Sequence, residues 1–238
     1  QPGFDQRFGY GRVNANTAVE QLLAGKIPPE VDVVRPYWFE VLYPDQLTGP
    51  VEINGTISAR RANTYDYVVE WAPGVQPLDD AFTKISGMEN IPSNQITGAD
   101  GPIALFDVRT IDVTHEPDSD SLLGENQYTI TVRVRAIAHY GGDVGDVTGE
   151  LRRTYYVHRD PDLVAGFPIH LGSSGESSPK MADIDGDGQR DLIYPTTDGR
   201  IHVFRLTDSG PEYVDGFPFV GERVDGLEPD LGIEGKPN

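Results

Sequence analysis

The segment Asp183-Ile184-Asp185-Gly186-Asp187-Gly188-Gln189-Arg190-Asp191 places four carboxylates and two glycines within nine residues. Four like charges held this close repel one another unless a cation sits among them. Calcium is a hard cation that takes about six to eight oxygens at roughly 2.3–2.6 Å, and one sharply turning loop can supply most of them. Asp183, Asp185 and Asp187 alternate and can point to one centre. Gly188 permits a tight turn where a Cβ would clash. The backbone carbonyl of Gln189 and the carboxylate of Asp191 can close the shell. The stretch reads as a calcium loop with Asp183, Asp185, Asp187, Gln189 and Asp191 as ligands. The plainer alternative is a solvated acidic turn.

The flanking residues narrow the kind of module. Gly166-Phe167-Pro168 returns 50 residues later as Gly216-Phe217-Pro218, and repeats of about this length mark propeller blades or stacked arrays. Residues 177–182, the acidic loop, Leu192-Ile193-Tyr194, the turn Asp198-Gly199 and residues 201–204 read as strand, loop, strand, hairpin turn, strand. A fourth strand is expected over 212–214. An EF-hand needs flanking helices and a bidentate Glu at the twelfth loop position, where this chain has Tyr194. A nonapeptide β-helix has a much shorter repeat.

Ser178-Pro179 followed by Asp183-x-Asp185-Gly186-Asp187-Gly188-x-x-Asp191-Leu192-Ile193 resembles the FG-GAP or VCBS-type repeat of integrin-like β-propellers. The resemblance implies a calcium-binding blade over 161–218, with ligation by the carboxylates of Asp183, Asp185, Asp187 and Asp191 and the carbonyl of Gln189. A propeller closes with about four to eight blades. Residues 219–238, rich in Gly and acids, are expected to begin a second, truncated blade and to pack poorly. A lone blade leaves edges open to pairing with another chain, or docks on the neighbouring domain.

Residues 31–160 change to period two. Val51, Ile53, Gly55, Ile57 and Ala59 share one face; Tyr65, Tyr67, Val69 and Trp71 share another. Tyr128, Ile130, Val132, Val134, Ala136 and Ala138 alternate with Thr129, Thr131, Arg133 and Arg135. Such alternation marks strands with one face on a core and one in water. Weaker strands fit 33–42, 82–86, 103–111 and 151–158. About seven strands joined by turns suit an Ig-like or fibronectin-type sandwich, with Trp71 as its central aromatic. Without cysteine, packing alone must hold its sheets. Ile53-Asn54-Gly55-Thr56, Val69-Glu70-Trp71-Ala72-Pro73-Gly74 and Gln127-Tyr128-Thr129-Ile130-Thr131-Val132-Arg133-Val134 resemble modules that follow the catalytic domain in large secreted bacterial proteins. Asn126 stands where a Gly is usual before the last strand. The resemblance implies a spacer or binding module and names no ligand.

Residues 14–24 read as a short helix, capped by Asn14 or Asn16 and striped by Ala15, Ala18, Val19, Leu22 and Leu23. Gly25 ends it and Pro28-Pro29 prevents resumption. A stripe on so short a helix calls for a body to pack on. Phe8-Gly9-Tyr10-Gly11-Arg12-Val13-Asn14-Ala15-Asn16-Thr17-Ala18-Val19 resembles the end of the catalytic domain of subtilisin-like serine peptidases, where a Gly-x-Gly-x-Val-Asn-Ala turn leads into the last helix. It implies that residues 1–27 are the C-terminal remnant of such a domain. The family's catalytic motifs are expected upstream, and no Gly-Thr-Ser nucleophile segment occurs here. Gly9-x-Gly11 is no dinucleotide fingerprint, since Asn14 stands where the third Gly would be.

The formal charge of −19 argues against nucleic acid, whose binding needs basic patches. Apolar runs are too short to cross a bilayer, and the absence of Cys excludes disulfides and thiolate metal sites. His158-Arg159-Asp160 echoes a kinase catalytic loop, but residue 165 is Ala where that loop needs Asn. Asn54-Gly55-Thr56 is a glycosylation sequon in mid-strand. His115 and His139 stand alone in the sequence and read as surface or strand-end histidines, and the acidic run 112–120 reads as a solvated loop. No histidine sits in a motif with a nucleophile, so this chain carries no recognisable triad.

The expected architecture is all-β: an Ig-like or fibronectin-type sandwich and a partial propeller blade, with one short N-terminal helix. The expected role is that of a non-catalytic accessory segment of a secreted subtilisin-like serine endopeptidase, binding calcium and an extracellular protein or carbohydrate. The alternative is a calcium-dependent adhesion or cell-surface protein without peptidase activity. Calcium modules with weak sites fill outside cells, which places the chain in the extracellular space.

Overall fold

Alternating side chains become strands in both parts of this chain. The computed structural model describes residues 9–111, 128–175 and 177–221, and the chain divides into two units, Gln1–Asp160 and Pro161–Asn238. Phe8, the acidic run 112–120 with His115, and residues 222–238 lie outside the described residues. Those described are mostly β, with one α-helix.

In the first unit, α1 (Ala15–Leu23) starts where the Asn14 side chain accepts from the Thr17 N–H at 3.2 Å. The helix buries none of its side chains. Its stripe residues Val19, Leu22 and Leu23 are exposed, so the body that the stripe calls for is not found among the described residues.

Eight strands follow: β1 (Glu30–Arg35), β2 (Val41–Leu42), β3 (Val51–Ser58), β4 (Thr64–Pro73), β5 (Thr83–Pro92), β6 (Ala104–Phe106), β7 (Thr129–His139) and β8 (Asp146–Val157). They form a three-stranded sheet, β1-β3-β6, and a five-stranded sheet, β2-β8-β7-β4-β5. All pairings are antiparallel except the short β2–β8 pair. Both sheets feed one apolar core: Val33, Ile53, Ile57 and Phe106 from the first, and Val69, Val132, Val134 and Tyr155 from the second.

The expected strand 33–42 is two strands in different sheets. Pro36 offers no N–H to a ladder, and Phe39 takes a left-handed φ of 58°, so the chain crosses between sheets there. The expected strand 103–111 shrinks to β6, followed by a 3-10 turn at Val108–Thr110. Gly55 lies against β1: a Cβ there would stand 2.1 Å from the Asp32 carbonyl oxygen. The central aromatics are Tyr65 and Tyr155, both fully buried. Trp71 is only half-buried and packs on Phe106 at 5.8 Å. The Tyr65 hydroxyl accepts from the Thr97 N–H at 3.2 Å and lies 3.2 Å from the Ile57 carbonyl.

The polar face of β7 is not in water. Thr129, Thr131 and Arg133 are buried, Arg133 to 2% exposure. Residues 74–82 accompany it: Thr131 Oγ1 donates to the Gly74 carbonyl at 2.7 Å, and the Arg133 guanidinium lies 3.8 Å from the Phe82 ring centroid. Arg133 donates to Glu70 and to Asp79, each at 2.9 Å. Arg135 and Arg152 both donate to Glu150, at 3.0 and 2.7 Å. Three guanidinium groups are thus matched by three carboxylates beside β7.

His139, at the end of β7, does not stand alone. It lies 2.8 Å from Asp146 and 3.1 Å from Asp66. Hydrogen bonds to Asp146, then to Asp66, raise its pKa above 6.5 despite partial burial.

In the second unit, β9 (Lys180–Ala182), β10 (Asp191–Pro195), β11 (Arg200–Thr207) and β12 (Gly210–Tyr213) form an antiparallel sheet in the order β12-β11-β10-β9. A short β13 (Phe219–Val220) pairs with the start of β11. The Asp198-Gly199 turn closes the β10–β11 hairpin, with the Gly199 N–H donating to the Thr196 carbonyl at 3.1 Å. Val203, Phe204 and Val214 are buried. The two Gly-Phe-Pro copies share a local structure. In each, the Phe N–H donates to a valine carbonyl three residues back, at 3.1 Å. In each, the intervening Gly has a positive φ, 74° at Gly166 and 87° at Gly216.

Two outcomes test this account of the first unit. Replacing Arg133 with Ala leaves Glu70 without its buried partner and lowers stability by about 3 kcal/mol, read from urea unfolding; a loss below about 1 kcal/mol contradicts the buried layer. Protonated His139 is favoured by folding, so its contribution is complete below pH 6.5. That contribution fades as pH rises through the folded pKa. The urea midpoint is expected to fall between pH 6 and 8, and less so in His139→Gln; equal slopes would refute the assignment.

Candidate metal centre

Strand pairing sets the frame of the acidic loop. Asp191 of β10 pairs with Ala182 of β9, so residues 183–190 must reverse the chain between adjacent strands. The loop does so by turning on its own carboxylates. Asp183 accepts from the Gly186 and Gly188 N–H groups at 2.7 and 3.0 Å. Asp185 accepts from the Asp187 N–H at 3.1 Å, and Asp187 from the Gln189 N–H at 2.7 Å. Gly186 and Gly188 have φ of 80° and 89°. No atom lies within 4 Å of a Cβ built on either. The clash expected at Gly188 is therefore absent, and what glycine supplies is left-handed backbone.

The structure brings Asp183, Asp185 and Asp187 together: one carboxylate oxygen from each lies within 4.8 Å of the others, all exposed. An exposed cluster of this kind can hold a metal ion, and its all-carboxylate donor set suits a hard cation. Gln189 enters through its N–H to Asp187. Asp191 is held apart from the trio, fully buried, with Oδ2 accepting from the Ile184 N–H at 2.9 Å. Its Oδ1 is buried without a hydrogen-bond partner. A buried carboxylate oxygen without a hydrogen-bond partner is costly. This orphan oxygen, on a carboxylate already bonded to the loop, fits a site completed by a cation.

Sequence reasoning missed Arg205. It pairs with Asp185 through Nη2 and lies 3.3 Å from Asp187 Oδ2 through Nε. The Arg205 guanidinium, followed by the Asp187 N–H, holds the Asp185 carboxyl below the usual carboxylate range. The signal was present in the hairpin register: Leu192 pairs with Phe204, so Arg205 falls one step further along, level with Asp191.

Other groups singled out from the sequence have structural partners. His158 packs edge-on to Tyr128 at 4.9 Å, and Arg159 pairs with Asp45 and donates to the Arg109 carbonyl at 2.8 Å. A surface groove of about 490 Å³ beside β4 and β5 is lined by residues including Asp66, Val68, Lys84, Met88 and Arg135. Among the described residues, no Ser, Thr, Cys or His lines it. No helix among the described residues is long and apolar enough to cross a membrane. Comparison with protein-family models, with curated proteins and with solved structures gives no match.

Asp191→Asn tests the orphan oxygen. Neutralising a buried charge removes one penalty but puts an unpartnered amide NH2 in the place of Oδ1, while the amide oxygen can still accept from Ile184. In chelator the variant is expected to melt about where the wild type does, but to gain less from an added divalent cation. Equal gains in the two proteins would show that Asp191 is not a ligand.

Proposed function

We propose that the acidic loop binds calcium and that this chain is a non-catalytic, extracellular accessory segment. The observation that carries the reading is the convergence of Asp183, Asp185 and Asp187 in a loop bonded at the Ile184 N–H to Asp191, whose other carboxylate oxygen is buried and unpartnered. Hard carboxylate oxygens, a tight glycine-turned loop and four negative charges match calcium better than a softer metal. Bound there, calcium would supply charge neutralisation and a rigid link between β9 and β10. Asp183, Asp185, Asp187 and Asp191 would hold it by their carboxylates, and Gln189 by its carbonyl.

The four-stranded antiparallel order β12-β11-β10-β9 and the twin Val-x-Gly-Phe turns support reading residues 161–218 as one blade of an FG-GAP or VCBS-type propeller. The two sheets sharing one core support an Ig-like or fibronectin-type sandwich. The sandwich spaces or binds, and the blade presents a calcium-stiffened surface to protein or carbohydrate. The resemblance of residues 8–19 to the end of a subtilisin-like domain makes the parent a secreted serine endopeptidase.

Calorimetric titration tests this directly. The wild type is expected to bind one calcium ion at roughly 10⁻⁴–10⁻³ M, and Asp185→Ala to lose that binding. An Asp185→Ala variant that binds as the wild type does would contradict the site. The chain by itself is expected to leave casein uncut; hydrolysis sensitive to a serine reagent would overturn the non-catalytic reading.

A further inference from the structure

We propose that Arg205 is a built-in counter-ion that competes with calcium for the acidic loop and sets the site's affinity low; this rests on the calcium reading above. Arg205 stands on β11, outside the loop, and its guanidinium engages the carboxylates of both Asp185 and Asp187. Its side chain is 38% exposed, although Nε itself is buried. The loop's other internal bonds come from backbone N–H groups, which carry no net charge. Arg205 is thus a full positive charge set against the mutual repulsion of Asp183, Asp185, Asp187 and Asp191.

The sign of the effect follows from charge. Four carboxylates attract Arg205 with four negative charges before calcium arrives and with a net two afterwards. The attraction between Arg205 and the loop is therefore weaker in the calcium-bound state. By linkage, whatever calcium takes from the Arg205 interaction, Arg205 takes equally from calcium affinity. The guanidinium keeps the loop folded when calcium is scarce and yields when calcium is abundant. This makes Arg205 a positioning residue in the metal-free state and a determinant of the calcium threshold.

The test compares the full 238-residue chain with Arg205→Gln and Arg205→Lys, and with Arg200→Gln as a control. Arg200 is on the same strand but pairs with Asp198, away from the loop. Calcium affinity is read by calorimetry, and thermal melting is read in chelator and in saturating calcium. Arg205→Gln is expected to bind calcium about fivefold more tightly, to melt lower in chelator, and to regain most of the difference in calcium. Arg205→Lys keeps the charge and most of the weakening, and Arg200→Gln leaves affinity unchanged. Wild-type binding with equal or weaker binding by Arg205→Gln overturns the competition while leaving the calcium reading intact. No calcium binding by the wild type overturns both.

Discussion

Mutual repulsion among Asp183, Asp185, Asp187 and Asp191 constrains everything around the β9–β10 connection. The loop cannot relieve the repulsion by spreading, because Ala182 and Asp191 are paired in adjacent strands. Backbone N–H groups turned inward blunt part of it. The two left-handed glycines make that inward turning feasible. Arg205 offsets another part from the neighbouring strand. The buried Oδ1 of Asp191 is left without a hydrogen-bond partner. The proposed cation would offset further charge there and tie the loop to both strands. The described residues of this unit include only a small set of buried apolar side chains, so electrostatics at the loop weigh heavily among them.

The first unit handles buried charge differently. Arg133 is nearly inaccessible, yet Glu70 and Asp79 both reach it. Matched pairs of this kind contribute little net stability but make any single deletion expensive. The layer they form on the polar side of the five-stranded sheet is balanced internally and calls for no ion. The first unit carries its cations as arginines, whereas in the second the proposed calcium ion would supply part of the compensation.

Period-two alternation made β3, β4 and β7 legible, because a strand with one apolar face can bury only that face. Alternation does not reveal what covers the other face, and so Arg133 read as solvated until residues 74–82 were seen beside it. The break within 33–42 was written in Pro36, but the left-handed Phe39 was not, since no residue type announces that conformation in a bulky side chain. Trp71 was misjudged because size suggested centrality, whereas the fully buried aromatics are Tyr65 and Tyr155, near the ends of their strands. In the loop, the acidic trio was legible from spacing alone. Asp191 matched as a motif residue, but its burial needed the β9–β10 pairing. Arg205 required the register of a hairpin to be counted from the Asp198-Gly199 turn.

The central claim is that a calcium ion completes the loop by taking up the unpartnered oxygen of Asp191. The most direct test is the anomalous difference density of crystals grown in calcium. A single peak within about 2.3–2.6 Å of carboxylate oxygens from Asp183, Asp185, Asp187 and Asp191 is the predicted result. A peak that lacks Asp191, or calcium bound elsewhere with the loop still closed on Arg205, would contradict it.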